Sequence, residues 1–314
     1  MNILQECKNA KRIGISGHIR PDGDCVGACL ALYQYLRNCM PECEVKVFLE
    51  KPADIFSEIK GFELIDSDFP CEEPFDVYFA LDCSADRLGG AEQYFLQASK
   101  KINIDHHISN NGCGDVNYIM PNVGSTCELI YDLTEKEYLD KDMAMALYIG
   151  IIHDTGVFQY SNTTPDTLKK AAHLISYGFN FSRLIEETFY QKTYLQTQIM
   201  GRALMESIRF MDGRCIVSVV DRKTMDFYNV NSKDLDGIVN QLRNIKGVDC
   251  AIFMYETGSL EYKVSLRSNE KVDVAKVASF FGGGGHVRAA GCTMKGTFHD
   301  CVNNLSLHIE EQLC

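Results

Sequence analysis

Lys11–Gly17 (KRIGISG), His18–Asp24 (HIRPDGD) and Cys25–Cys39 (CVGACLALYQYLRNC) follow one another without a break. The first is a short apolar run, the second a polar loop, and the third repeats apolar residues at helical spacing. Strand, loop and helix in that order are the opening of an α/β fold. Working outward, Glu44–Leu49 (EVKVFL), Asp76–Leu81 (DVYFAL) and Lys101–Ile104 (KINI) also have the composition of strands. Such runs separated by helical patterns imply a parallel sheet with helices on both faces. Met143–Ile152 (MAMALYIGII) is apolar all round, which suits a buried helix. Thr164-Pro165-Asp166 starts a further helix, with Thr164 as N-cap and Pro165 in the first turn.

From Phe181 to Phe210 the pattern is helical and rich in Gln, Arg and Tyr, so a domain boundary is expected within Gln191–Arg209. Beyond it Cys215–Val220, Cys250–Tyr255 and Tyr262–Leu266 read as strands, and Leu235–Asn244 and Asp273–Phe281 as helices. The organisation expected is an α/β parallel-sheet domain over 1–190, a helical connector over 191–209, and a smaller α/β domain over 210–314. A chain of 314 residues has the length for two domains.

With 46% hydrophobic and 24% charged residues the chain is ordinary globular protein. Its formal net charge is −12 at pH 7. A surface that acidic repels a long phosphate backbone, so non-specific binding to DNA or RNA is excluded, and a phosphate-bearing substrate should be small and locally held. The longest apolar runs fall well short of the roughly 20 residues a membrane span needs. The first residues, Met1–Lys8, lack a basic-then-apolar signal pattern, so a cytoplasmic location is expected. Fourteen cysteines are scattered with no Cys-x-x-Cys pair. Cys25/Cys29 and Cys39/Cys43 are four apart, which puts each pair on one face of a helix. The spacing does not suit a thiolate zinc site, and buried reduced thiols are expected.

Four places in the first half share a design, an apolar element followed by Asp and His. They are His18-Ile19-Arg20-Pro21-Asp22-Gly23-Asp24, Asp82, Asp105-His106-His107 and His153-Asp154-Thr155-Gly156. In an open parallel sheet the carboxyl ends of the strands line one crevice, so residues just past Gly17, Leu81 and Ile104 converge in space. Gly23, between two aspartates, is expected to permit a tight loop. Asp22, Asp24, Asp82 and Asp154 in one crevice would repel one another without a cation. Oxygen and nitrogen ligands with no thiolate suit Mn²⁺, with Mg²⁺, Co²⁺ or Fe²⁺ as competitors. Two such ions about 3.5–4 Å apart are the usual apparatus for displacement at phosphorus.

Together, His18-x-x-Pro21-Asp22-Gly23-Asp24, Asp82-Cys83-Ser84, Asp105-His106-His107 and Asp154-Thr155-Gly156 resemble the four motifs of the DHH phosphoesterase superfamily. Phe281–Gly291 (FGGGGHVRAAG) resembles the signature of the DHH-associated C-terminal domain. Phe158–Thr167 (FQYSNTTPDT) and Val264–Ser268 (VSLRS) resemble the stand-alone enzymes that degrade very short oligoribonucleotides and dephosphorylate pAp. The resemblance implies that 1–190 is the catalytic domain and 210–314 the substrate-binding domain. It also implies that His18 and Asp22 ligate one Mn²⁺, Asp24, His106 and Asp154 the other, and that Asp82 bridges them.

By the same resemblance Asp105 is an outer residue, which would accept a proton from a ligand imidazole and fix its tautomer. His107 faces the scissile phosphate and could protonate the leaving oxygen. Arg267, His286 and the backbone amides of Gly283, Gly284 and Gly285 hold substrate from across an inter-domain cleft, a sound phosphate cradle in principle. Cys25 and Cys83 adjoin ligand positions and are expected to pack rather than react. His153 has no match in the ligand pattern and is expected to support the site or the core. His173, His299 and His308 are expected on surfaces or in packing.

The activity implied is Mn²⁺-dependent hydrolysis of short oligoribonucleotides to mononucleotides, with removal of the 3′-phosphate of pAp. Two rivals keep the architecture: a phosphodiesterase of cyclic di-AMP and its linear product pApA, and a non-catalytic nucleotide sensor. Long nucleic acid and membrane are not expected partners, and a homodimer is among the assemblies the sequence allows.

Overall fold

The computed structural model describes residues 1–313, the side chain of His286 excepted. Its contacts divide the chain into two compact units, Met1–Gln191 and Lys192–Cys314. Among the described residues no helix is long and apolar enough to cross a membrane.

After a one-turn helix α1 (Ile3–Glu6), the first unit alternates β1 (Arg12–Ser16), α2 (Gly23–Cys39), β2 (Glu44–Phe48), β3 (Ile65–Asp66) and β4 (Val77–Leu81). It continues through α3 (Glu92–Gln97), β5 (Lys100–Asp105), β6 (Val116–Ile119), α4 (Thr126–Leu133) and α5 (Lys141–Asp154). α6 (Pro165–Ile175), α7 (Phe181–Ile185) and a π-helical turn over Glu186–Tyr190 complete it. The six strands form one all-parallel sheet in the order β3-β2-β1-β4-β5-β6. The order reverses between β1 and β4, and in such sheets ligands bind outside the carboxyl ends at that reversal.

Successive side chains of a strand point to opposite faces. Accordingly, Val77, Phe79 and Leu81 of β4 join the core under α2 and α5, whereas Tyr78 and Ala80 pack with Tyr94 and Phe95 of α3. Burial on both faces explains why the strands carry nearly continuous apolar runs. Helix α2 begins two residues earlier than its apolar pattern, because Asp22 caps it and accepts from the amides of Asp24 and Cys25, each at 3.1 Å. It ends at Cys39, so Cys43 lies beyond the helix and the expected Cys39/Cys43 face does not exist. Thr164 caps α6 reciprocally with Thr167, and Pro165 stands in the first turn as its fixed φ allows. The short strands β3 and β6 carry no fully buried side chain, which is why no apolar run announced them.

In the second unit α8 (Tyr194–Met205) is followed by β7 (Ile208–Phe210), β8 (Cys215–Val220), α9 (Arg222–Tyr228) and α10 (Ile238–Arg243). Then come β9 (Cys250–Gly258), β10 (Glu261–Ser268), α11 (Val274–Ser279), β11 (Gly284–His286), β12 (Ala289–Lys295) and α12 (Phe298–Leu313). The sheet order is β11-β12-β10-β9-β8-β7, antiparallel except for β8 with β9. Here too alternate residues serve two cores. Cys250, Ile252 and Met254 face α11 and α12, and Ala251 and Phe253 face α8 and α10. Helix α8, on the segment expected to connect the domains, places Ile199 and Ala203 in that second core. The helix expected over Leu235–Asn244 is interrupted. Gly237 adopts φ +88°, ending a 3-10 turn at Ser232–Leu235 before α10 begins. Likewise Ile208–Phe210, expected as helix, forms the edge strand β7.

Candidate metal centre

The carboxyl ends of the adjacent strands β1, β4 and β5 deliver His18, Asp82 and His106 to one place. Asp22 and Asp24 come from the start of α2, and Asp154 from the end of α5. Their ligand atoms form overlapping groups, each within 4.8 Å: His18, Asp22 and Asp82; Asp24, His106 and Asp154; and Asp82 with Asp105, His106 and His107. Asp82 stands between the first two sets with an oxygen toward each. Its Oδ2 lies 3.4 Å from His18 Nε2, and its Oδ1 lies 3.5 Å from His106 Nε2. His18 Nε2 is also 3.6 Å from Asp22 Oδ2, and His106 Nε2 is 2.9 Å from Asp154 Oδ2 and 4.0 Å from Asp24 Oδ2.

Local structure fixes these side chains. Asp82 has φ +60°, a left-handed conformation that Asp tolerates better than most residues, and its amide donates to Ile104 O at 3.0 Å. Ring orientation is set at the far nitrogens: His18 Nδ1 is 2.8 Å from Ile19 O, and His106 Nδ1 is 3.2 Å from Val123 O. In each case the carbonyl accepts from Nδ1, leaving Nε2 as the lone-pair atom that can face a cation.

The cluster is short of positive charge. Asp24 and Asp82 are 0% and 2% exposed, and among the described residues the ion-pair partners of Asp22, Asp24, Asp82, Asp105 and Asp154 are all imidazoles. Burial, and then the charges of Asp82 and Asp154, push the Asp24 carboxyl well above its usual range. Burial also raises Asp154, to about 6. Burial works against a charged His106, but Asp154, Asp82 and Asp24 outweigh it and hold the ring up to about 11. Protons thus stand in for missing cations. His106 Nε2 supplies a direct test of fit: it is buried and makes no hydrogen bond, although Asp154 lies 2.9 Å away. A buried unsatisfied nitrogen aimed among three carboxylates is the disposition of a metal ligand. The residues fit a divalent cation, and the oxygen and nitrogen donors suit a hard or borderline one.

Residues 12–151 match the DHH family, N-terminal domain, and residues 212–313 match the DHHA1 domain. The chain belongs to the DHH family of phosphoesterases. Similar curated proteins include the bifunctional oligoribonuclease and PAP phosphatase NrnA of Thermus thermophilus, 29% identical over 90% of this chain and 84% of that protein. The protein of the same name from Bacillus subtilis is 26% identical over 88% of this chain and 87% of its own. Among solved structures, an exopolyphosphatase-related protein from Bacteroides fragilis superposes with a TM-score of 0.89 at 24% identity, covering 98% of this chain and 94% of that one. That likeness establishes the fold.

Within the DHH unit two sequence expectations need correction. Asp105 does not hold a ligand imidazole: its Oδ1 is 2.7 Å from Nδ1 of His107, the expected proton donor, and it also accepts from the His107 amide. Gly23 makes no loop. It is the first residue of α2, and a Cβ there would lie 2.4 Å from the His153 ring, so glycine makes room for that histidine. His153 itself sits between Phe56 and Phe189, with Nε2 3.2 Å from Thr188 Oγ1, a supporting position as expected. Cys25 and Cys83 are buried, and burial raises both thiols well above their usual range, so neither offers a thiolate.

In the DHHA1 unit, Arg267 Nε donates to Asn240 Oδ1 at 3.1 Å, and Nη1 donates to Leu266 O at 3.0 Å. The His286 side chain lies outside the described residues. The amide cradle expected of Gly283–Gly285 is only partly available. The Gly283 amide donates to Ala278 O at 3.0 Å and closes α11, while Gly284 and Gly285 pair with Gly291 and Ala290 in the β11–β12 hairpin. Gly283 and Gly285 answer to packing. A Cβ on Gly283 would meet Gly291 O at 2.2 Å, and Gly285 has φ +145° with Ala289 O 2.4 Å from its would-be Cβ.

Two site residues, Thr126 and Cys127, went unnoticed in the sequence. The amides of Thr126 and Cys127 donate to Asp24 Oδ2 and Oδ1 at 2.6 and 2.9 Å, and Thr126 Oγ1 donates to Asp82 Oδ1 at 2.9 Å. Ser125-x-x-Glu128 before an apolar run does mark a helix start, and Ser125 caps α4. Asn162 Nδ2 donates to Gly124 O and Asp154 O, tying the α4 entry to the end of α5.

Proposed function

We propose that this chain is a two-ion, Mn²⁺-dependent phosphodiesterase that cuts oligoribonucleotides a few residues long to mononucleotides and removes the 3′-phosphate of pAp. The observation that carries the reading is the place of Asp82 between the two sets, with Oδ2 3.4 Å from His18 Nε2 and Oδ1 3.5 Å from His106 Nε2. His18 and Asp22 would hold one ion, Asp24, His106 and Asp154 the other, and Asp82 both. Bound there, the ion pair would activate water and neutralise charge developing on the phosphoryl oxygens. Mg²⁺ or Co²⁺ would be substitutes. His107 then gives a proton to the leaving oxygen from Nε2, since Nδ1 is engaged by Asp105. Burial opposes a charged His107, but Asp105 and Asp82 raise it above its ordinary value, which favours the protonated acid. Arg267 and His286 hold a phosphate or nucleoside of the substrate. The names of the relatives and the net charge of −12 both support a short substrate.

Turnover of pApA, pAp, cyclic di-AMP and a 20-mer RNA, compared side by side with Mn²⁺, tests the proposal. Fast turnover of pApA and pAp with little on the other two is expected. Preference for cyclic di-AMP would replace the substrate assignment, and tight nucleotide binding without turnover would make the chain a sensor.

A further inference from the structure

A carboxylate that serves two cations must present one oxygen to each and resist swinging both toward one. The terminal torsion of Asp is broad, so the residue alone does not provide that resistance. Asp82 is fixed at its backbone by the left-handed φ and the bond to Ile104 O, which leaves its carboxylate plane to be set by something else. Thr126 is that contact. It is fully buried as the first residue of α4, and its Oγ1 donates to Asp82 Oδ1 at 2.9 Å. That is the oxygen facing His106, whereas Oδ2 faces His18. The amide of the same residue donates to Asp24 Oδ2 at 2.6 Å. One residue thereby orients a carboxylate of the second ligand set and the carboxylate shared by both. The hydroxyl takes one lone pair of Oδ1 and leaves another for an ion. A β-branched side chain at a buried helix start has few rotamers, which makes the donor a fixed point.

We propose that Thr126 is the positioning residue of this centre: its hydroxyl holds the Asp82 carboxylate in the bridging orientation, so that the second ion binds beside the first. The inference rests on the two-ion reading above.

The test is Mn²⁺ titration of the metal-stripped full chain by calorimetry, with electron paramagnetic resonance at two equivalents, for wild type, Thr126→Val and Thr126→Ser. Wild type should bind two ions and give the broad spectrum of an exchange-coupled pair. Thr126→Val keeps the bulk and branching but removes the donor. It should retain the first ion, bind the second about tenfold or more weakly, and show the six-line signal of isolated Mn²⁺. Thr126→Ser should restore wild-type behaviour. Equal isotherms and spectra for wild type and Thr126→Val overturn the proposal. If Thr126→Val does not fold, Thr126→Ala replaces it, and loss of fold in both shows a merely structural residue and also overturns it. A wild type that binds fewer than two ions instead sinks the two-ion reading, and the two failures are thereby distinguished.

Discussion

The two units are built on one plan, a six-stranded sheet with a core on each face, and they differ in what they bury. The DHH unit buries His18, Asp24, Asp82 and Asp105 where its strands end. Among the described residues, the buried polar side chains of the DHHA1 unit are Ser218 and Ser268, both neutral and both hydrogen-bonded to backbone. In the first unit only imidazoles and protons offset that negative charge, and this is the argument for a cation. In the second, Gly283 and Gly285 of the motif are accounted for by close packing, and Arg267 is hydrogen-bonded to Asn240 Oδ1 and Leu266 O. Motif residues in one chain can thus be demanded by chemistry in one place and by sterics in another.

The largest effect should come from the charged side of this contrast. Asp82→Ala removes the residue common to both ligand sets, and turnover of pApA with Mn²⁺ should fall about 10³-fold or more, the worth of several kcal/mol of charge stabilisation. The metal-free variant should keep the wild-type circular dichroism spectrum and unfold cooperatively, so that the loss is one of chemistry and not of fold. Wild-type turnover would remove Asp82 from the site. On the packing side, Gly283→Ala drives a Cβ into backbone and should cost about 1–3 kcal/mol in urea unfolding. Gly284→Ala meets nothing within 4 Å and should stay within about 0.5 kcal/mol. The reverse order would break the packing explanation of the glycine run.

The same contrast explains what was legible. The candidate ligands were legible because strand ends followed by Asp and His form a pattern that only a crevice of charge explains. The parent elements, strands β1, β4 and β5 and helix α5, are also largely buried. Thr126 and Cys127 were not legible, because they act on Asp24 through backbone amides that any residue possesses. Gly23 was visible but misassigned, since its reason lies 130 residues away at His153. The strands β3 and β6, with half-exposed or exposed side chains, and the break at Gly237 lack any periodic signal.

Two smaller effects sharpen the comparison. Arg267→Ala should raise KM for pApA about tenfold or more, the worth of one charged hydrogen bond, with kcat nearly unchanged. An unchanged KM would leave the DHHA1 unit without its charged contact. The smallest effect is one of pH. Asp154, raised to about 6, keeps a proton in the metal-free fold that the unfolded chain has already lost. Its contribution is therefore present at low pH and lost as pH rises through about 6. His106, raised to about 11, likewise contributes stability below its ordinary range that is lost as pH climbs toward 11. Cations replace those protons, so the rise in Tm on adding Mn²⁺ should be a few degrees larger at pH 7.5 than at pH 5.5. A rise independent of pH would mean that ions bind elsewhere.

Anomalous scattering from a crystal grown with Mn²⁺ puts the whole argument to one observation. Two peaks about 3.5–4 Å apart, one on each side of the Asp82 carboxylate, are the predicted result. A single peak away from Asp82, or none among these side chains, would contradict it.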